Sequence, residues 1–328
     1  MRILLTGATG FIGSEIARRL VDRGHEVVGL ARPSRDTSGL RAIGASVAVG
    51  DITDRQSLDA ALPGCDCVVH AAAVYSLWER DPSIYERVNV DGSRNVFEAA
   101  LAAGTSKVIH ISSTVIWGAT PDVPITEESR IGTWFPSRYA ETKHRADDLA
   151  WRLHRERGLP VLTIHPASVI GAGDRKPSGQ FAERLVRRSM PAKVYRGSTM
   201  TFVHVNDVVE TIVRAAEKSD NVGQRYVVGR HQIAVGDMFR LICEVAGVPE
   251  PPMTLPDSLT MLSAAVLTWI ADRTGREPLL GLSLDQARSL QLGLPVDGSK
   301  VERELGIAYT PLRTAVEELV AAIKVRLA

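Results

Sequence analysis

Short apolar runs recur through the first half of the chain: RILLT, EVVGLA, SVAVG, CDCVVHA, KVIHIS and PVLTIH. Helix-like segments such as IGSEIARRLVDRG, RQSLDAALPG and SRNVFEAALAAG separate them, and Gly24 and Gly104 stand where C-terminal caps belong. This alternation constrains the fold more than any other feature. A strand that is apolar at consecutive positions has no face to offer water, so it must be covered on both sides. Helices that cross over a parallel sheet supply that cover.

Beyond His165 the rhythm breaks. Gly171 to Pro177 is turn-rich, the strands TFVHV and RYVVG are separated by helical stretches, and VPEPPMTLP is a Pro-rich interruption. The expectation is one nucleotide-type domain over residues 1–165, with segments near 200–230 returning to it, and a mainly substrate-binding domain over 166–328. A chain of 328 residues, 45% of them hydrophobic, can bury cores for both. Its 39 Lys+Arg and 38 Asp+Glu leave a formal +1 with no basic stripe, which argues against a nucleic-acid partner.

Three cysteines, Cys65, Cys67 and Cys243, have neither zinc spacing nor a disulfide framework. MRILLTG enters the first strand without a leader-like segment, so a cytoplasmic location is expected. SLTMLSAAVLTWIA, between Asp257 and Asp272, carries no charge but falls short of the roughly 18 to 20 residues that span a bilayer. It reads as a core or lid helix, with peripheral membrane contact as the alternative. His70, His110, His165 and His204 lack paired metal spacing and read as structural, so no metal is expected.

TGATGFIG, residues 6–13, follows the first strand directly and opens a helix, with Gly7, Gly10 and Gly13 at G-x-x-G-x-x-G. Glycines there permit unusual torsions, close approach of a pyrophosphate and tight helix packing, while the helix N-terminus attracts the anion. Thr9, Phe11 and Ile12 share that turn. The fold class that follows is α/β: a Rossmann-type doubly wound parallel sheet with a smaller C-terminal α/β substrate domain. The acid that reads a ribose hydroxyl is due at the end of the second strand, yet Ala31 stands there, followed by Arg32, with Arg35 nearby. A guanidinium pairs with a 2′-phosphate through two parallel hydrogen bonds, so NADP(H) is the expected cofactor, with NAD as the alternative. In GDITD, Asp51 could accept from an adenine amino group while the Ile52 backbone meets the ring edge.

SRYAETKHRADDLAWRLHRERG, residues 137–158, is helical, and Tyr139 and Lys143 lie four apart on one face that continues into Ala146, Ala150 and Leu153. A phenol with an ordinary pKa of about 10 is a poor base, and an ammonium beside it favours the phenolate. KVIHISSTVIWG ends a strand in Ser112 and Ser113, where a parallel sheet gathers its ligands and where a hydroxyl can hold a carbonyl.

The order TGATGFIG, GDITD, HAAA, NVDGSRN, ISST, YAETK, HPASVIG and TFVHVND resembles the extended short-chain dehydrogenase/reductase family across nearly the whole chain. The resemblance implies a Ser113-Tyr139-Lys143 triad, with Lys143 also holding the nicotinamide ribose. It implies that Ala71, Ala72 and Ala73 run along the cofactor, that Asn89 lies beside the active site, and that Pro166 and Ser168 border the nicotinamide. It also implies a homodimer formed through the YAETK helix and its neighbour.

Within that family the choice lies between carbonyl reductases that use NADP and nucleotide-sugar epimerases or dehydratases that retain NAD. Ala31 replaces the NAD-selecting acid, Ser168 stands where an asparagine is common, and GSTMTFVHV lacks the arginine that often grips a diphosphate. The chain is most similar to the dihydroflavonol-reductase-like and hydroxysteroid-dehydrogenase-like branch. The reading is reduction of a ketone or aldehyde on an apolar or aromatic small molecule; an epimerase and a non-catalytic NADPH-binding regulator are the alternatives. Tyr75, Trp78, Trp117 and Trp134, all in loops after the fourth and fifth strands, are expected to rim the substrate pocket.

Overall fold

The computed structural model describes all 328 residues. In chain order the strands are β1 (Arg2–Thr6), β2 (Glu26–Ala31), β3 (Ser46–Val49), β4 (Cys67–His70), β5 (Lys107–Ile111), β6 (Val161–Pro166), β7 (Ser168–Ile170), β8 (Ala192–Lys193), β9 (Thr199–His204), β10 (Arg225–Val228), β11 (His231–Ala234) and β12 (Met253–Thr254). The helices that bear on the site are α1 (Phe11–Asp22), α2 (Ser38–Ala42), α3 (Arg55–Ala61), α4 (Ser83–Tyr85), α5 (Ser93–Ala103), α6 (Arg138–Arg157), α7 (Pro177–Val186), α8 (Val205–Glu217), α9 (Val235–Ala246), α10 (Asp257–Thr274) and α11 (Leu284–Leu292). Two more, α12 (Ser299–Leu305) and α13 (Leu312–Leu327), close the chain.

Seven strands form one sheet in the order β10-β6-β5-β4-β1-β2-β3, and every pairing in it is parallel. Their apolar runs are explained by two cores. Ile3, Leu5, Cys67, Val69, Ile109 and Ile164 point to one face, against Ile16 and Leu20 of α1 and Val208 and Ile212 of α8. Leu4, Val68, Val108 and Val161 point to the other, against Leu58 of α3, Phe97 of α5 and Leu149 and Leu153 of α6. Successive strand residues face opposite ways, so a strand buried on both sides must be apolar throughout. Each fully buried aliphatic side chain contributes roughly 1.5–3 kcal/mol, which commits these segments to the sheet.

The chain runs outward from β1 to β2 and β3, then returns to lay β4, β5 and β6 on the other side. Strand order therefore reverses between β1 and β4, and the crevice for a ligand opens beyond their carboxyl ends, at Thr6 and His70. A third apolar cluster, built on Phe239, Ala264, Val316 and Leu319 among others, lies in the later part of the chain. A small sheet, β11-β9-β7, joins the two regions: Ala167, between β6 and β7, donates its N–H to the Val228 carbonyl of β10.

Candidate active site

The glycine turn sets one end of a large cavity. Gly7 has φ +73°, and a Cβ there would stand 2.8 Å from the Ala71 carbonyl carbon and the Ala72 nitrogen. At Gly13 a Cβ would lie 2.0 Å from the Gly7 carbonyl oxygen, so helix and turn can touch only because both residues are glycine. α1 begins at Phe11 with no side chain capping it, which leaves its first N–H groups for an anion. These features fit the pyrophosphate of a dinucleotide.

The cavity measures about 1070 Å³. Gly7, Thr9, Gly10, Phe11, Ile12 and Gly13 line one part of it, and Arg32, Arg35, Asp51 and Ile52 line the adjoining wall. Arg32 Nε approaches Asp51 Oδ2 at 4.0 Å, while Asp51 Oδ1 accepts from the Thr53 N–H and hydroxyl. Both side chains at this pair are partly exposed, so the guanidinium remains accessible. Ala71, Ala72, Ala73, Ser112, Ser113, Pro166 and Ser168 continue the wall inward to Tyr139 and Lys143.

Ser113, Tyr139 and Lys143 share one stretch of the cavity wall because of where α6 starts. Ser137 caps that helix by accepting from the Ala140 N–H at 3.1 Å, and the first turn then carries Tyr139 beneath the end of β5. One turn on, the Lys143 ammonium donates to the Ile111 carbonyl at 2.8 Å. Burial pushes the Tyr139 phenol up to about 12, with the Ser113 hydroxyl pulling the other way. An ammonium beside the phenol was expected to lower it; burial instead raises it, and the ammonium is turned to a backbone carbonyl. Burial likewise draws Lys143 down to about 8, opposed by the carboxylate of Asp147.

Asp147 lies a further turn along α6, held by His165 Nε2 at 2.9 Å and faced by Arg225 at 3.8 Å. Burial raises its carboxyl, but His165 and Arg225 outweigh that and leave it below the ordinary range. Motif reading passed over this residue, although its i+4 spacing from Lys143 put it on the same face. Ser112, which lines the cavity, turns its buried hydroxyl toward this carboxylate and helps to hold it low.

Several expected pocket residues sit elsewhere. Tyr75 does line the cavity, its ring centroid 4.9 Å from that of Tyr139. Trp117 is fully buried in the core, its indole donating to the Ser129 carbonyl and its ring edge-on to His165. Trp78 turns outward to donate to Asp272 of α10, and Trp134 is exposed; neither reaches the cavity wall. Asn89 is buried behind the wall within a π-helical turn, Glu86–Gly92, where its amide bonds both backbone groups of Val74. It therefore positions the loop bearing Tyr75.

The apolar end of the cavity comes from Phe181 of α7, Met200 and Phe202 of β9, Met238 and Ile242 of α9, and Leu290 of α11; apart from Met200 and Phe202, within GSTMTFVHV, no motif marked them. They converge from four elements far apart in sequence, and only tertiary structure brings them together. Arg175 and Lys176, in the turn before α7, also reach this wall.

A sheet with its switch point at a glycine turn, and a serine, tyrosine and lysine converging on the same cavity, define an NAD(P)-binding oxidoreductase of Rossmann type. Residues 3–229 match the model of the NAD dependent epimerase/dehydratase family, and the chain belongs to that family. It is 30% identical to the sterol demethylase protein B of Methylococcus capsulatus, over 99% of each chain. It is 31% identical to a UDP-glucose 4-epimerase of Mycolicibacterium smegmatis, over 89% of this chain and 98% of that one. Among solved structures, that of gox2253 superposes with a TM-score of 0.85 at 36% identity, covering 99% of this chain and 98% of the other.

Proposed function

We propose that the chain reduces a ketone or aldehyde on a bulky apolar small molecule, using NADP(H). The observation that carries this reading is the juxtaposition of Ser113, Tyr139 and Lys143 with an apolar end of the cavity on one side and two arginines on the other. When bound, the reduced nicotinamide supplies hydride to the carbonyl carbon. Tyr139, kept protonated by burial, gives its phenolic proton to the carbonyl oxygen as that oxygen gains charge. Ser113 donates a hydrogen bond to the same oxygen and holds it against the phenol. Lys143, whose ammonium donates to the Ile111 carbonyl, would hold the nicotinamide ribose.

Arg32 and Arg35 select the 2′-phosphate, because neither can accept a hydroxyl proton and no acid ends β2. A fused-ring or long-chain carbonyl compound suits the walls formed by Phe181, Phe202, Met200 and Met238. The similarity to a protein named for sterol demethylation agrees with that class. A second reading, an epimerase that retains NAD and acts on a nucleotide sugar, draws on Arg175 and Lys176 in the wall, which could pair with a diphosphate.

Titration of the purified chain with NADPH and with NADH, followed by nicotinamide fluorescence, separates the two. NADPH should bind more tightly, and Arg32→Ala should weaken it about 10- to 100-fold, the range for a hydrogen bond to a charged group, while leaving NADH unchanged. With a panel of apolar aldehydes and ketones, Tyr139→Phe should abolish NADPH oxidation but not NADPH binding. Equal affinity for NADH, or NAD carried through purification, would favour the epimerase.

A further inference from the structure

α10 wears its amphipathic pattern inside out. The side chains it buries against the body are small: Thr260, Ala264 and Ala271. Met261 packs against the third cluster, but five of the helix's large apolar residues face outward, with Leu259 45%, Leu262 61%, Val266 48%, Trp269 59% and Ile270 43% exposed. At spacings of three and four they form one continuous stripe along the helix. A surface helix of a protein that meets only water is built the other way round, and scattered exposed leucines would not align so.

The charges at the end of the stripe identify what it meets. The Arg273 guanidinium lies over the Trp269 ring, 5.0 Å from its centroid. Arg276 follows three residues later, and Arg80 lies against Gly275, where a Cβ would be 3.0 Å from its Nε. None of the three has a carboxylate within 4.0 Å. Asp272 is engaged by the Trp78 indole, and Glu277 acts on Arg184 instead. An apolar stripe ending in a tryptophan and unpaired guanidiniums matches the boundary between acyl chains and anionic headgroups. No helix here is long and apolar enough to cross a membrane, so α10 would lie along such a surface.

We propose that the outer face of α10 docks the chain on an anionic lipid surface, with Leu259, Leu262, Val266, Trp269 and Ile270 in the acyl boundary and Arg80, Arg273 and Arg276 on the phosphates. The docked helix stands one element away from the cavity. α11 packs on it, joined through the Leu284 N–H, which donates to the Thr268 hydroxyl, and α11 supplies Gln286, Ser289 and Leu290 to the cavity wall. The docking surface itself does not depend on which reaction the cavity performs.

The test is co-sedimentation of the full chain with vesicles of phosphatidylcholine alone or mixed with phosphatidylglycerol. The chain should pellet with the mixed vesicles, and Leu262→Asp should reduce the bound fraction about tenfold, since a charge is driven out of the acyl boundary. Arg273→Ala combined with Arg276→Ala, or high salt, should weaken binding to the mixed vesicles. Because Leu262 is on the surface, its variant should keep the parent melting temperature, which separates loss of docking from loss of fold. Failure to pellet with either vesicle overturns the proposal. So does a dimer by light scattering that Leu262→Asp splits, which would make the stripe an interface between two copies of this chain.

Discussion

Lys143 is the residue on which burial and function pull hardest against each other. A buried ammonium is drawn toward its neutral form, and at about 8 Lys143 would lose its proton close to working pH. The groups around it are the Ile111 carbonyl and His110 on β5, His70 on β4, Tyr139 on its own helix, and Asp147 one turn on. Of these only Asp147 carries a negative charge that raises its pKa. Reduction should therefore fall as pH rises through about 8. In Asp147→Asn the opposing charge is gone, so that alkaline limb should move to lower pH, and Asp147→Glu should restore it in part. The check is the pH profile of kcat for NADPH oxidation. A uniform drop in kcat with the limb unmoved would leave Asp147 a structural role only.

At the scale of elements, the contact between α1 and the glycine turn is the least forgiving. Gly13→Ala puts a methyl 2.0 Å from the Gly7 carbonyl oxygen, so the helix must shift away from the turn that it helps to form. Overpacking of this kind costs about 1–3 kcal/mol, and cofactor affinity should fall with it. Gly39→Ala in α2 is the control: nothing lies within 4 Å of its Cβ, so stability should hold or rise slightly. Chemical denaturation and NADPH titration of both variants read the difference.

These same elements show what a sequence makes visible. The buried strands of the large sheet and the capped ends of α5 and α6 were legible, because apolar runs, Ser137 and the glycines Gly104 and Gly158 act locally. Tyr139 and Lys143 were legible because four residues of helix fix their shared face. The tryptophans were not: a loop sets no side-chain direction, and Trp117 went to the core while Trp78 went to α10. The apolar end of the cavity and the inverted face of α10 were equally hidden. Both depend on which side of a helix meets its neighbours, and an uncharged run such as SLTMLSAAVLTWIA does not encode that.

Across the whole molecule, the large sheet carries histidines in its interior. His70 and His110 are register partners on β4 and β5, with ring centroids 5.3 Å apart. His70 is bonded to Thr6 and Ser93, whereas both ring nitrogens of His110 are buried without partners. Burial holds His70 down at about 3 and His110 well below its ordinary value, with Lys143 adding to both. The unfolded chain takes up these protons near pH 6.5 and the folded chain does not, so stability is complete above that pH and is lost as pH falls below it. For His70 the loss is about 1.4 kcal/mol per pH unit below pH 6.5, and His110 adds a loss of the same sign. The buried carboxylate of Asp147, lowered in the fold, adds its loss only below the ordinary carboxylate range, so the two effects separate along the pH axis. His110→Leu removes one of the two proton sites together with its unpartnered nitrogens, and it should lessen the drop in stability read from urea midpoints at pH 7.5 and pH 5. A parent chain equally stable at both pH values would mean that the rings accept protons inside the fold, and the interior of the sheet would then be far wetter than its packing implies.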